Sequence, residues 1–200
     1  MKLALGIAPL LMLAACQGTH SSVKEQADSR TQFETMRSLE GDWTGVADHG
    51  GGQTSPVDTT FHLTGSGSTV QETMFKGTAH EMVSMYHMDG DHLVQTHYCS
   101  AGNQPRMVAE PPSNSGTIAF DFKDATNLRS MDETHMHSMR ILVKDSDHIE
   151  EWWQGWENGK PSHEAHFTLT RKSASKLGAI ILDDELYRNI QASMRQLQSG

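Results

Sequence analysis

The chain of 200 residues has few cysteines and fewer basic than acidic side chains. Its two cysteines are Cys16 and Cys99, and its 16 Lys and Arg stand against 25 Asp and Glu, a net charge of −9. Phosphates of nucleic acid and anionic lipid headgroups repel such a surface, so we expect neither as a direct partner. After the first fifteen residues, no apolar run is long enough to cross a bilayer as a helix.

The motifs of several enzyme classes are also missing. The sequence contains no Gly-x-Ser-x-Gly elbow, no phosphate-binding glycine loop and no dinucleotide fingerprint. The segment 163–166, His-Glu-Ala-His, is one residue short of the zinc-protease motif, and on a strand its histidines would face opposite ways. No nucleophile is placed beside a base, so the sequence supports no catalytic residue.

The first fifteen residues are typical of a signal peptide. Lys2 precedes an apolar stretch that is too short to span a membrane. The stretch ends on Leu13-Ala14-Ala15-Cys16, which resembles the lipobox of bacterial lipoproteins. The resemblance implies that Cys16 carries lipid, which anchors the protein in the cell envelope, and Gln17 favours the outer membrane with the protein facing the periplasm. Cys99 is then the one remaining thiol, which excludes an intramolecular disulfide.

The rest of the chain divides into three parts. Residues 16–31 hold the lipidated cysteine and a polar segment that we predict to be a flexible tether. Residues 32–172 form the main domain. Residues 173–200 are an extension with an amphipathic helix, whose apolar stripe comprises Leu186, Ile190, Met194 and Leu197. This helix either packs on the domain or docks to a partner protein.

The main domain is predicted to be all-β. Short alternating segments separated by turn residues predict ten strands, at 41–48, 56–64, 68–76, 80–88, 91–99, 104–110, 116–123, 134–144, 147–157 and 162–171. Close turns such as Asp89-Gly90 and Asn158-Gly159 indicate hairpin connections. Since an open meander would leave exposed edges, we expect an antiparallel up-and-down barrel, preceded by a short helix at 32–39.

The segment from Leu39 to Trp43 resembles the start of lipocalins, where a Gly-x-Trp motif begins the first strand. That resemblance implies that Trp43 packs against Arg171 at the end of the last strand. The chain is also similar to bacterial lipocalin-like domains of the calycin superfamily, of unknown function, through the stretches at 97–107, 135–137 and 151–153. It departs from secreted lipocalins in lacking a disulfide and the Thr-Asp-x-x-x-Tyr motif, and in having ten strands where they have eight.

Strand alternation assigns candidate residues to the barrel interior. In segment 134–144 the apolar residues share a face with His135 and His137, and in segment 162–171 they share a face with His163. Segments 91–99 and 147–157 have apolar residues on both faces. Their orientation stays open.

We therefore expect a barrel that binds a small, mostly apolar ligand. Its candidate contacts are His97, Arg106, His135, His137, Glu151 and Trp153. The loop 101–106 either fixes a ligand carbonyl or carboxylate or is a hydrogen-bonded hairpin turn. One alternative is a metal site of His135 and His137 with His97, His163 or Cys99. A third is an envelope module that binds a protein through the C-terminal helix.

Overall fold

The structure, a computed structural model, describes residues 18–112 and 116–173. The predicted signal peptide, Cys16 and the predicted C-terminal helix lie outside the described residues. One helix, α1 (Gly18–Arg37), precedes ten strands: β1 (Gly41–Asp48), β2 (Thr54–Thr64), β3 (Thr69–Met74), β4 (Met82–Asp89), β5 (His92–Tyr98), β6 (Gln104–Ala109), β7 (Thr117–Thr126), β8 (His135–Val143), β9 (His148–Glu157) and β10 (Lys160–Arg171). A 3-10 turn, Gly65–Gly67, joins β2 to β3.

The ten strands close into one antiparallel barrel. Each strand pairs with its neighbours in sequence, and β1 completes the ring by pairing with β10. The prediction of a closed ten-stranded antiparallel meander is confirmed. Several tight turns occur where the sequence predicts them: Gly90 and Gly159 have φ angles of 61° and 69°, which glycine adopts without strain.

The N-terminal helix is longer than predicted. Residues 18–31, expected to be a flexible tether, belong to α1. Its C-terminal end is docked, because Phe33 and Met36 are buried and Gln32 Nε2 donates a hydrogen bond to the carbonyl of Glu110 at 2.9 Å. Because the docked C-terminal turn already provides the helix nucleus, the polar, proline-free sequence before it extends the helix toward the N-terminus. Polarity alone does not distinguish a solvated helix from a coil.

The segment that follows α1 is fixed to the barrel around Trp43. The indole Nε1 donates to the carbonyl of Leu39 at 2.9 Å, and the Arg171 guanidinium lies 4.2 Å from the centroid of the Trp43 ring. Arg171 also donates hydrogen bonds to the carbonyls of Ser38 and Glu40. This cluster joins the first strand, the last strand and the helix end.

The structure decides the two strand orientations that the sequence left open. In β5, Leu93, Gln95 and His97 are buried, and in β9 the buried side chains are Ile149, Glu151 and Trp153. Both strands therefore bring polar groups into the barrel. Among the described residues, no helix is both long and apolar enough to cross a membrane.

Candidate functional site

A cavity of about 720 Å³ occupies one end of the barrel. Its walls come from the end of β1, the end of β3 and the start of β10, whereas α1 lies beside the start of β3 and the end of β4. The helix and the cavity are therefore at opposite ends. Most of the lining is apolar, from Pro56, Met74, Phe75, Met82, Ala101, Met136, Trp153, Ala165 and Phe167. The volume lies within the range of small-molecule sites, roughly 300–1,000 Å³.

Five histidines interrupt this apolar wall: His49, His80, His97, His135 and His163. Of these, His97 is 1% exposed and packs against Trp153, with ring centroids 4.8 Å apart. Burial lowers the pKa of His97 to about 4, so its imidazole is neutral near pH 7. Its Nδ1 lies 3.0 Å from Ser84 Oγ, and its Nε2 has no hydrogen-bond partner among the described residues.

Beyond His97 the barrel interior holds a cluster of buried polar side chains. Tyr86 donates to Glu72 Oε2 at 2.6 Å and receives a hydrogen bond from Gln95 at 3.0 Å, while Trp153 Nε1 donates to Glu151 Oε2 at 3.1 Å. Both carboxyl groups are fully buried. In each of them Oε1 has no nitrogen or hydroxyl donor among the described residues, and a hydrogen bond between the two carboxyl groups raises the pKa of Glu72 and lowers that of Glu151.

The two carboxyl groups differ in how strongly they hold this proton. Burial, reinforced by the adjacent Glu151 charge, raises the pKa of Glu72 well above its ordinary value. Burial also raises the pKa of Glu151, to about 7, although hydrogen bonds from Trp153 and Glu72 lower it in part. Glu72 therefore stays protonated near neutral pH and donates to Glu151, which ionises first.

His135 and His137 lie side by side, as predicted, but only His135 lines the cavity, whereas both were predicted to face the barrel interior. His135 lines the cavity, and its Nδ1 lies 2.7 Å from the Glu133 carbonyl oxygen. A β-bulge between Met136 and Ser138 leaves His137 as an extra residue in β8, which interrupts the alternation there. Met136 consequently lines the cavity in the place expected for His137.

His137 instead lies between two aromatic rings. It stacks on Trp156 at 3.8 Å and on Phe122 at 4.8 Å between ring centroids, and its Nδ1 is 3.1 Å from His135 Nε2. Burial lowers the pKa of His137, and the neighbouring His135 lowers it further. Trp156 is on the face of β9 opposite to Trp153, so this stack is outside the cavity.

His163 lies at the cavity mouth, as its strand alternation predicts. Its imidazole crosses Gly155 on β9, where a Cβ atom would come within 2.0 Å of Cε1 of the ring. Gly155 therefore provides the space for this histidine. Nearby, Cys99 lines the cavity as a free thiol, and burial raises its pKa.

Arg106, predicted to contact the ligand, lies away from the cavity. It forms an ion pair with Asp124 of β7, and both side chains line a separate surface groove. The loop 101–106 has the features of a hairpin turn: Cys99 N–H donates to the carbonyl of Asn103, and the Asn103 amide donates to the Thr134 carbonyl at 2.9 Å. The Asn103 side-chain N–H is thus engaged within the protein, whereas its Oδ1 has no hydrogen-bond partner among the described residues.

The predicted histidine metal site is not assembled in the part of the chain that the structure describes. Within residues 18–112 and 116–173, no three His, Cys, Asp or Glu side chains are grouped so that they could hold a metal ion. His135 and His137 hydrogen-bond to each other, and His97 is buried deeper against Trp153.

Sequence reasoning identified Glu151, Trp153 and His97 as site candidates but missed Glu72, Tyr86 and Ser84. A signal for Glu72 was present, since it alternates with Val70 and Met74 on the apolar face of its strand. A carboxyl group within an apolar face indicates a buried, partnered acid. The identity of its partners depends on strands that are distant in sequence.

Comparison with known proteins finds structural neighbours only. No family model and no curated protein matches the chain. A protein of unknown function from the DUF3598 family of Nostoc punctiforme matches with a TM-score of 0.48 and 13% identity, over 68% of this chain and 48% of its own. Rv2717c from M. tuberculosis matches with a TM-score of 0.48 and 14% identity, over 70% of this chain and 97% of its own. The chain thus spans about half the length of the Nostoc protein, and the lipocalin and lipoprotein resemblances stay predictions.

Proposed function

We propose that the barrel binds a small, mostly apolar molecule in the cavity opposite α1. The observation that carries this proposal is the cavity itself, about 720 Å³ of space enclosed by methionine, phenylalanine and tryptophan side chains. A folded protein ordinarily fills its interior, so a large apolar space is consistent with a ligand that replaces the missing core. The buried side chains of His97 and Trp153 line this cavity from the barrel interior.

Within this proposal, Trp153 and Phe167 provide apolar contact area, and His97, His135 and His163 provide polar contacts. Arg106 and His137 are left out because their side chains lie outside the cavity lining. Glu151 does not line the cavity, but it accepts the hydrogen bond of the Trp153 indole and thereby holds that ring in place.

We further propose that the protein is a lipid-anchored component of the cell envelope, held through Cys16. The support comes from the sequence, in the short apolar leader and the tetrad Leu13-Ala14-Ala15-Cys16. Incorporation of a radiolabelled fatty acid tests the anchor: the wild-type chain should be labelled and Cys16→Ala should not. Equal labelling of both chains would contradict lipidation at this residue.

Ligand binding is tested by filling the cavity. Ala165 faces the cavity from β10, and Thr168 is exposed on the opposite face of the same strand. We expect the neutral fluorophore N-phenyl-1-naphthylamine to bind the wild-type protein, and Ala165→Phe to weaken this binding at least about tenfold by occupying the space. Thr168→Phe, the matched control, should bind the fluorophore as the wild type does.

Two results would contradict this proposal. One is equal affinity of Ala165→Phe and wild type for the fluorophore, which would place its binding elsewhere. The other is the absence of any binding by wild-type protein together with native mass spectra that contain no co-purified small molecule.

A further inference from the structure

The ionisable side chains around the cavity differ in kind from those of the chain as a whole. Among the described residues that line it, five are histidines and none is Asp, Glu, Lys or Arg. The whole chain, in contrast, is acidic, with a net charge of −9. An anion that the protein surface repels therefore meets no carboxylate in the cavity lining.

The cavity has a buried apolar end and an open end that carries histidines. Trp153 and Phe167, which line the buried end, are each 3% exposed. His49, His80 and His163 are exposed and lie directly after β1, between β3 and β4, and near the start of β10. We call these three the mouth histidines. A cavity divided in this way fits an amphiphile with its apolar body inside and its polar head at the mouth.

Two of the mouth histidines contact serine hydroxyls. His49 Nε2 lies 2.9 Å from Ser55 Oγ, and His163 Nδ1 lies 3.0 Å from Ser162 Oγ. Because a hydroxyl can both donate and accept, it accommodates a neutral or a protonated imidazole and brings no charge of its own.

Histidines outside the cavity contact acids instead. His148 Nδ1 lies 2.9 Å from Asp145 Oδ1, and His166 Nε2 lies 2.9 Å from Glu150 Oε2. When these histidines gain a proton, a carboxylate of the protein balances the new charge. The serine contacts at the mouth provide no such balance, so an anionic ligand can provide it.

The charged side chains near the mouth are directed elsewhere. Asp48 and Glu81 each accept a backbone N–H within their own loops, and Glu133 pairs with Arg129. Glu164, next to His163 in sequence, lines a groove on the outer wall of the barrel. The other charged residues of these elements also lie outside the cavity lining, and they are Lys76, Glu157 and Lys160.

The remaining ionisable groups of the lining are uncharged or already engaged. Burial lowers the pKa of His97 to about 4 and raises the pKa of Cys99, so both are neutral between pH 5.5 and 8. His135 has both ring nitrogens engaged, with Nδ1 2.7 Å from the Glu133 carbonyl oxygen and Nε2 3.1 Å from His137 Nδ1. Positive charge that the lining gains in this interval is therefore located at the mouth.

We propose that the cavity ligand is an apolar molecule with an anionic head, and that the head binds at the mouth histidines His49, His80 and His163. This inference rests on the proposed function, since it names the chemical class of the cavity ligand. Protonated imidazoles donate charge-assisted hydrogen bonds to such a head. Binding therefore strengthens as the pH falls, because histidine changes its charge between pH 5 and 8. A neutral ligand of the same shape lacks this dependence.

Two fluorophores of one shape separate the head from the apolar body. N-phenyl-1-naphthylamine is neutral, and 8-anilino-1-naphthalenesulfonate is the same molecule with a sulfonate that stays ionised at every pH used. Both are titrated into the whole protein at pH 8 and pH 5.5, and the ratio of their affinities removes changes that act on both. We expect this ratio to shift about tenfold toward the sulfonate at pH 5.5, as several partly exposed ion pairs provide. Sodium chloride at about 0.5 M should reduce the shift, because salt screens exposed charges.

Matched double variants assign the shift to the mouth. His49→Gln combined with His163→Gln removes two mouth histidines and should reduce the shift to about threefold or less. His62→Gln combined with His148→Gln removes two exposed histidines outside the cavity lining, and this control should keep the wild-type shift. Glu151, whose pKa burial raises to about 7, adds negative charge to the interior at pH 8, but it does so in all three proteins.

Three results would overturn the inference and leave the proposed function intact, since the neutral fluorophore would still bind. They are an affinity ratio that does not change between the two pH values, a full shift in the variant that lacks His49 and His163, and sulfonate binding that Ala165→Phe does not weaken. If neither fluorophore binds the wild type at either pH, the proposed function itself fails.

Discussion

Replacing Glu151 with glutamine should change how stability depends on pH. Burial raises the pKa of Glu151 from an ordinary 4.5 to about 7 in the folded protein. The folded state therefore binds the proton more tightly than the unfolded chain does. This contribution to stability is fully present below pH 4.5 and is lost as the pH rises toward 7. Glu151→Gln has no proton to lose and keeps a carbonyl oxygen to accept the Trp153 hydrogen bond.

The size of the effect follows from the two pKa values. The interval from 4.5 to about 7, at about 1.4 kcal/mol for each pH unit, corresponds to about 3 kcal/mol of folding free energy. Part of this is already lost at pH 5. We therefore expect Glu151→Gln to be more stable relative to wild type at pH 8 than at pH 5, by about 2 to 3 kcal/mol.

Comparing variant and wild type at the same pH removes the effect of other titrating groups. His97 has the opposite dependence, because its lowered pKa of about 4 makes it lose stability as the pH falls below 6.5. This contribution is common to both proteins and cancels in their difference. The glutamine side chain can also change stability by an amount that does not depend on pH. That change cancels when the stability difference at pH 8 is compared with the difference at pH 5.

The assay is urea unfolding followed by tryptophan fluorescence at pH 5 and pH 8. Glu164→Gln, on an exposed glutamate of β10, is the control and should follow the wild type at both pH values. If the stability difference between Glu151→Gln and wild type is the same at both pH values, Glu151 does not hold a proton in the folded barrel. The reasoning about the shared proton would then be wrong.

Two glycines on the barrel wall should respond differently to alanine. At Gly45, a Cβ atom would lie 1.8 Å from the backbone oxygen of Thr168, so Gly45→Ala must push β1 away from β10. We expect this variant to lose about 3 kcal/mol or more of unfolding free energy in urea. A loss below about 1 kcal/mol would contradict this close contact between β1 and β10. At Gly155 the atom in the way belongs to the His163 ring at the cavity mouth, which can turn toward solvent. Gly155→Ala should therefore cost less than about 1 kcal/mol while changing the His163 ring resonances in NMR, and unchanged resonances would contradict the contact.

The fold was largely predictable because its determinants are local. Turn residues such as Asp89-Gly90 divide the chain at short intervals, and each strand pairs with the next one in sequence. Alternation gave the correct face in strands that are regular and have apolar residues on one side, as in β10, where it placed His163 on the cavity side. Where apolar residues occur on both sides, as in β5 and β9, alternation gave no answer.

The candidate site depended on contacts that only the closed barrel creates. His137 is the extra residue of a bulge between Met136 and Ser138, and such a bulge is defined by pairing with β9. The acid pair joins Glu72 of β3 to Glu151 of β9, strands on opposite sides of the ring. Their shared proton requires burial as well as proximity.

The sequence by itself determined the number of strands, their order and the inward faces of the regular ones, because hydrophobic period and turn chemistry act over a few neighbouring residues. Tertiary structure decided the length of α1, the exclusion of Arg106 and His137 from the cavity, and the burial of His97. Each of these depends on partners distant in the chain: docking on Glu110 for the helix, Asp124 for the arginine, and Ser84 for the histidine. Long-range contacts of this kind have no local signature, since burial and hydrogen-bond direction arise only when the barrel closes.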